Sequence, residues 1–102
     1  MRLDAFRYRA VVVSPLLGYI FIMTVNVLLF ASYADSLGMN QFELELSTGS
    51  TVGDVLGHVR SLPGADRLPP NPLLAVNERY ARRDKKLNAG DQVAIIPPVA
   101  GG

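Results

Sequence analysis

Cysteine and tryptophan are absent from the 102 residues, and histidine occurs once, as His58. Without cysteine there is no disulfide framework, no thiolate metal site, no cysteine nucleophile and no Cys-x-x-Cys redox pair. One histidine leaves a multi-histidine metal cluster or a Ser-His-Asp triad almost nothing to draw on. An excess of charge is also missing. Ten Lys and Arg stand against nine Asp and Glu, for a net charge of +1, so the electrostatic footprint of a dedicated nucleic-acid binder is absent. There is no Gly-rich phosphate loop, no internal repeat and no low-complexity segment. What is present, 49% hydrophobic and 19% charged residues, suits one small globular domain.

The charge is unevenly placed. Arg2, Arg7 and Arg9 against Asp4 give residues 1–22 a charge of +2, which leaves −1 for residues 23–102. The same first segment carries an apolar run from Ala10 to Ile22, broken by Ser14, Pro15 and Gly18. A basic start before an apolar run resembles a signal peptide or a membrane anchor. Either reading would consume Val25–Phe30, which has the pattern of a strand. The expectation is therefore that residues 1–22 form a doubtful extension, with Met23 as the start of the regular domain.

From Thr24 to Phe30, β-branched and apolar residues put Val25, Val27 and Leu29 on one face and Leu28 and Phe30 on the other. Ser32–Leu37 reads as a short helix stopped by Gly38. Phe42–Leu46 alternates strictly, with Glu43 and Glu45 outward. Ser50 or Thr51 caps a second helix with Asp54 in its first turn. Its stripe is Val52, Val55, Leu56, Val59 and Leu62, and Pro63-Gly64 stops it. A proline-rich loop to Pro72 precedes the strand Leu73–Val76, a turn at Asn77-Glu78 and a return strand Arg79–Ala81. Asn88–Asp91 is a turn and Gln92–Ile96 the last strand. The expected fold class is α+β, a roll with a sheet of about five strands and one main helix across it.

The C-terminal end is the informative feature. The strand runs into Pro97-Pro98, which remove two backbone donors and stiffen the exit. Val99, Ala100, Gly101 and Gly102 follow. Extended, the six residues from Pro97 reach roughly 20 Å, a slender probe without a bulky tip. Terminal glycines alone are often no more than frayed chain. Placed after a strand and two prolines, they suit a narrow channel in a partner that admits only backbone. Alternation on the last strand puts Val93 and Ile95 inward and leaves Ile96 exposed near Phe30. That makes an apolar docking patch at the probe's root.

Leu74-Ala75-Val76-Asn77, Leu87 and the run Gly90-Asp91-Gln92-Val93-Ala94-Ile95-Ile96-Pro97-Pro98-Val99-Ala100-Gly101-Gly102 resemble the small, sulfur-carrier subunit of molybdopterin synthase. The likeness extends to Val27–Ala31 and Leu37-Gly38 and covers about 80 residues. It implies a β-grasp, ubiquitin-like domain over residues 23–96 and a flexible reactive tail over 97–102. It further implies that the Gly102 carboxylate, next to Gly101, is adenylated with ATP and Mg²⁺ by a ubiquitin-activating-like adenylyltransferase. A sulfur donor protein would then make it a thiocarboxylate, which delivers sulfur to cyclic pyranopterin monophosphate. The implied partner is the large catalytic subunit, in a heterotetramer, with Phe30, Ile96, Pro97, Pro98, Val99 and Ala100 as contacts. The chain itself would bind no cofactor, no metal, no nucleic acid and no membrane, and would be cytoplasmic. The family commonly has an aromatic where this chain has Ile96, and often a basic residue at Ala34. Sulfur carriers of thiamine or cysteine biosynthesis share the fold and Gly-Gly but usually lack Pro-Pro. A non-reactive ubiquitin-like interaction module is the third reading.

The remaining conspicuous residues receive plain readings. Arg82–Lys86 is a solvated hairpin turn. His58 lies off its helix's apolar stripe, on the surface. Tyr33 and Tyr80 offer amphipathic contacts with no assigned role.

Overall fold

The computed structural model describes residues 8–16 and 18–98. Along the chain these form β1 (Tyr8–Ser14), β2 (Gly18–Leu29), α1 (Ser32–Leu37), β3 (Gln41–Ser47), α2 (Val52–Arg60), a 3₁₀ turn (Ala65–Arg67), β4 (Leu73–Val76), β5 (Arg79–Tyr80) and β6 (Gln92–Ile96).

The sheet is built around β2. Met23, Val25, Val27 and Leu29 are buried, while Ile22, Thr24, Asn26 and Leu28 between them are half-buried. This is the alternation expected of a strand with one face in the core. Antiparallel β3 lies on one edge, with Val27 opposite Phe42. Parallel β6 lies on the other, with Val27 opposite Val93. Residues 22–23 pair with both β1 and β3, and residues 26–28 with both β3 and β6. Hence β1 and β6 lie end to end along one edge of β2. Antiparallel β4 flanks β6, and β5 flanks β4.

One face of this sheet is covered by α2. Val52, Val55, Leu56 and Val59, four of the five residues of the expected stripe, are buried against Val25, Val27, Leu44, Leu74, Val76, Leu87, Val93 and Ile95. Each such side chain contributes about 1.5–3 kcal/mol of burial free energy. A mixed sheet with one main helix across it is the β-grasp roll that the sequence leads one to expect.

Local chemistry fixes the helix ends. Thr51 and Asp54 form a capping box: the Asp54 amide donates to Thr51 Oγ1 at 3.3 Å, and the Thr51 amide to Asp54 Oδ2 at 2.8 Å. The next amides, of Val52 and Gly53, donate to the carbonyls of Lys85 and Arg83 at 2.9 and 2.8 Å. The run Arg82–Lys86 therefore has solvated side chains, as expected, but its backbone completes the cap of α2. The helix stops at Arg60 rather than at Pro63-Gly64, because the Ser61 and Leu62 amides turn back to the His58 and Val59 carbonyls.

Two features differ from the sequence reading. The long strand begins at Gly18, not Thr24, and β1 makes the sheet six-stranded rather than five-stranded. The breakers Ser14 and Pro15 lie at the bend of a hairpin, and the apolar residues after Gly18 continue β2. Among the described residues, no helix is long and apolar enough to cross a membrane.

Candidate functional site

Because β6 is inserted between β2 and β4, its C-terminal end leaves from the middle of the sheet. Ile96 lies opposite Leu73, and the Phe30 amide donates to the Ile95 carbonyl at 3.2 Å. Pairing stops there, since Pro97 and Pro98 have no amide to offer. Pro97 is half-buried and Pro98 exposed. The predicted site residues Val99, Ala100, Gly101 and Gly102 lie outside the described residues.

The expected split of β6 is found. Val93 and Ile95 are fully buried, whereas Ala94 and Ile96 are half-buried on the opposite, helix-free face. There they join Leu28, Phe30, Ala75, Gln92, Glu78 and Tyr80 in lining a shallow groove of about 340 Å³. Phe30, 45% exposed, also lines a second hollow with Ala31, Ala34, Asp35 and Asn40. It therefore stands as a ridge between two depressions at the tail's root. The structure brings Phe30 and Ile96 together as expected, and neither is a core residue.

Local backbone chemistry sets that ridge. Phe30–Tyr33 is a type II′ turn: Ala31 has φ 50° and ψ −124°, and the Tyr33 amide donates to the Phe30 carbonyl at 3.0 Å. Type II′ turns ordinarily place glycine at this position. Tyr33 then anchors the turn. It is buried, and its hydroxyl donates to the Pro69 carbonyl at 2.5 Å. Burial pushes the phenol above its ordinary pKa of 10.0, opposed in part by the positive charge of Arg60. This structural role was missed in the sequence. The available signal was the four-residue spacing of Tyr33 and Leu37, which puts both on one helix face.

The opposite end of the groove is latched by Asn77 and Asp91. Asn77 Nδ2 donates to Asp91 Oδ1 at 3.0 Å, and the Gln92 amide donates to Asn77 Oδ1 at 3.0 Å. Asp91 Oδ2 accepts from the Asn88 amide at 2.8 Å. Asn77 and Asp91, both within the quoted sequence pattern, thus fix the start of β6 against the β4–β5 turn.

The other candidates remain apart from this site. His58 is exposed, with its ring 6.2 Å from that of Phe42. Glu43 and Glu45 point outward, and Glu45 is ion-paired with Arg9. Among the described residues no cluster of His, Asp and Glu could hold a metal ion. The site offers apolar shape and an exit for the chain, with Glu78 as the one charged group on the groove.

The sequence profile described as the ThiS family matches residues 27–102. The chain is 37% identical over 83 residues to the molybdopterin synthase sulfur carrier subunit of Chlamydomonas reinhardtii, covering 78% of this chain and 100% of that one. It is also 37% identical over 83 residues to the protein of the same name from Dictyostelium discoideum, covering 76% and 94%. Among solved structures it is similar to SAMP1 from Haloferax volcanii, with a TM-score of 0.67 and 27% identity over 78% of this chain and 99% of that one.

Proposed function

The chain belongs to the ThiS family, and on that premise we propose that it is the sulfur-carrier subunit of a molybdopterin synthase. The observation that carries the reading is the mid-sheet exit of β6 into Pro97-Pro98, beside the exposed Phe30–Ile96 patch. The two relatives named as sulfur carrier subunits, matched over nearly their whole length, support it. In this reading the Gly102 carboxylate attacks the α-phosphate of ATP, with Mg²⁺, on a ubiquitin-activating-like enzyme. Pyrophosphate leaves and an acyl-adenylate forms. A sulfur donor protein delivers sulfide-level sulfur to the acyl carbon, the carbon–oxygen bond to AMP breaks, AMP leaves, and the product is a thiocarboxylate. Adenylation is required because a free carboxylate is a poor acyl donor.

The loaded tail, residues 97–102, enters the large catalytic subunit while Phe30 and Ile96 seat against it. Sulfur bonds to a carbon of cyclic pyranopterin monophosphate as a carbon–oxygen bond there breaks, and water cleaves the acyl–sulfur bond to restore the Gly102 carboxylate. Two loaded carriers serve one dithiolene, consistent with a heterotetramer. Gly101 and Gly102 admit the chain to a channel too narrow for side chains. Acid–base groups come from the partners.

Intact mass is the test. Incubation with the activating enzyme, ATP, Mg²⁺ and a sulfur donor should add about 16 Da, one oxygen replaced by sulfur. Appending one residue after Gly102 should abolish the gain. No gain in the native chain rejects the carrier reading in favour of an unreactive interaction module. A gain without rescue of a strain lacking its molybdopterin carrier points to thiamine or cysteine biosynthesis.

A further inference from the structure

The hairpin of β1 and the first half of β2 extends the sheet past the cover of α2. Cross-strand register puts Tyr8 opposite Met23, Ala10 opposite Phe21 and Val12 opposite Tyr19. All six side chains lie on the face that, further along β2, carries Val25 and Val27 into the core. Met23 is still buried there, but Tyr8 is 45%, Val12 58%, Tyr19 66% and Phe21 56% exposed. Among the described residues, a core face thus continues into solvent without a covering layer.

Two properties of this face choose its occupant. The first is charge. The six residues carry none, whereas Arg9 belongs to the opposite face, where it pairs with Glu45. A face without charge meets a second copy of itself with no like-charge penalty. The second is area. At roughly 200 Å² for a free aromatic side chain, the four exposed residues leave about 400 Å² open per chain. Two copies would remove about 800 Å² from water through these side chains. Ala10, also exposed on this face, brings the total close to the ~1,000 Å² expected of a specific interface.

We propose that this chain forms a two-fold symmetric dimer by stacking the Tyr8–Val12–Tyr19–Phe21 face of one hairpin on that of a second copy. The stacking is face to face, as in two packed sheets. Tyr19 lies ten residues along β2 from Leu29, or about 33 Å of strand. The tail's root adjoins Leu29 and Phe30, so both tails stay clear of the dimer contact. Dimerisation is independent of the carrier reading, and its test does not use sulfur transfer.

The full chain should pass from monomer to twice the monomer mass in sedimentation equilibrium between about 1 and 100 µM. Tyr19→Lys combined with Phe21→Lys should remain monomeric over that range. Ile20→Lys, on the opposite face of the same strand, should dimerise like the parent chain. Circular dichroism and urea melts check that the variants are folded. A parent chain monomeric throughout overturns the proposal. So does a dimer that survives the paired substitution, or one lost equally with Ile20→Lys. Flotation of a monomeric parent chain with anionic lipid vesicles would instead assign the face to a membrane surface.

Discussion

Ala31 holds a backbone shape that glycine adopts without steric cost. Its φ of 50° and ψ of −124° crowd a Cβ against the backbone, a strain of order 1–3 kcal/mol. The turn persists because Tyr33, two residues on, is locked in the core. Ala31→Gly should therefore raise the unfolding free energy by about 1 kcal/mol, read from the urea midpoint. A lower midpoint would mean that the Ala31 methyl makes contacts that outweigh the strain. Tyr33 yields a prediction about pH. Its folded pKa is raised by burial, against the opposing charge of Arg60. A raised folded value means that the neutral phenol is the form the fold favours. The stabilisation is complete below the ordinary value of 10.0 and is lost as pH climbs through the higher folded value. Urea melts from pH 8 to 11.5 should show the parent chain losing stability relative to Tyr33→Phe above about pH 10. Parallel pH curves for the two would place the phenol in water.

At the scale of elements, two glycines separate backbone need from helix preference. Gly64 has φ 91°, and a Cβ there would lie 2.5 Å from the Ser36 carbonyl oxygen. The loop after α2 touches the end of α1 at that point. Gly57 lies within α2 with open space where its Cβ would be. Gly64→Ala should cost about 2–4 kcal/mol, whereas Gly57→Ala should gain about 0.5–1 kcal/mol. Opposite shifts in thermal midpoint are the expected result, and a shared sign would contradict the packing of the loop on α1. The same elements show what the sequence makes legible. Strict alternation in β3 announces which residues enter the core, because its other face is wet, whereas β2 and β6 bury every second residue although Leu28, Ala94 and Ile96 on the other face are apolar. The stripe of α2 does likewise at period 3.6. The β1–β2 hairpin gives no such signal: Val11, Ile20 and Ile22 on one face and Val12, Tyr19 and Phe21 on the other are all apolar. Alternation is erased, and a run of this kind does not announce a strand. Tyr33 was hidden differently, since a six-residue helix offers a single four-residue pair, Tyr33 and Leu37, as its whole periodic signal. The capping role of Arg82–Lys86 was invisible because it belongs to backbone carbonyls, which carry no residue signature.

Across the whole molecule, the core and the proposed docking patch draw on alternate residues of the same strand. Ile95 is fully buried in the core, while its neighbour Ile96 faces the groove with Phe30. Truncating Ile95→Ala should cost about 2–5 kcal/mol of stability, through lost burial and the cavity left behind. Phe30 is already 45% exposed, so a charge there meets water in the free chain and disturbs folding little. In the proposed complex the same charge is forced into an apolar contact and loses its hydration. Phe30→Asp should thus leave the urea midpoint within about 0.5 kcal/mol of the parent chain. Affinity for the large subunit, measured by titration calorimetry, should fall about 10- to 100-fold, as for a central interface anchor. Unchanged affinity would remove Phe30 from the docking surface and move the interface elsewhere on the sheet. A parallel loss of stability and affinity would mean that Phe30 supports the fold, with the groove reporting core packing instead of a partner's seat.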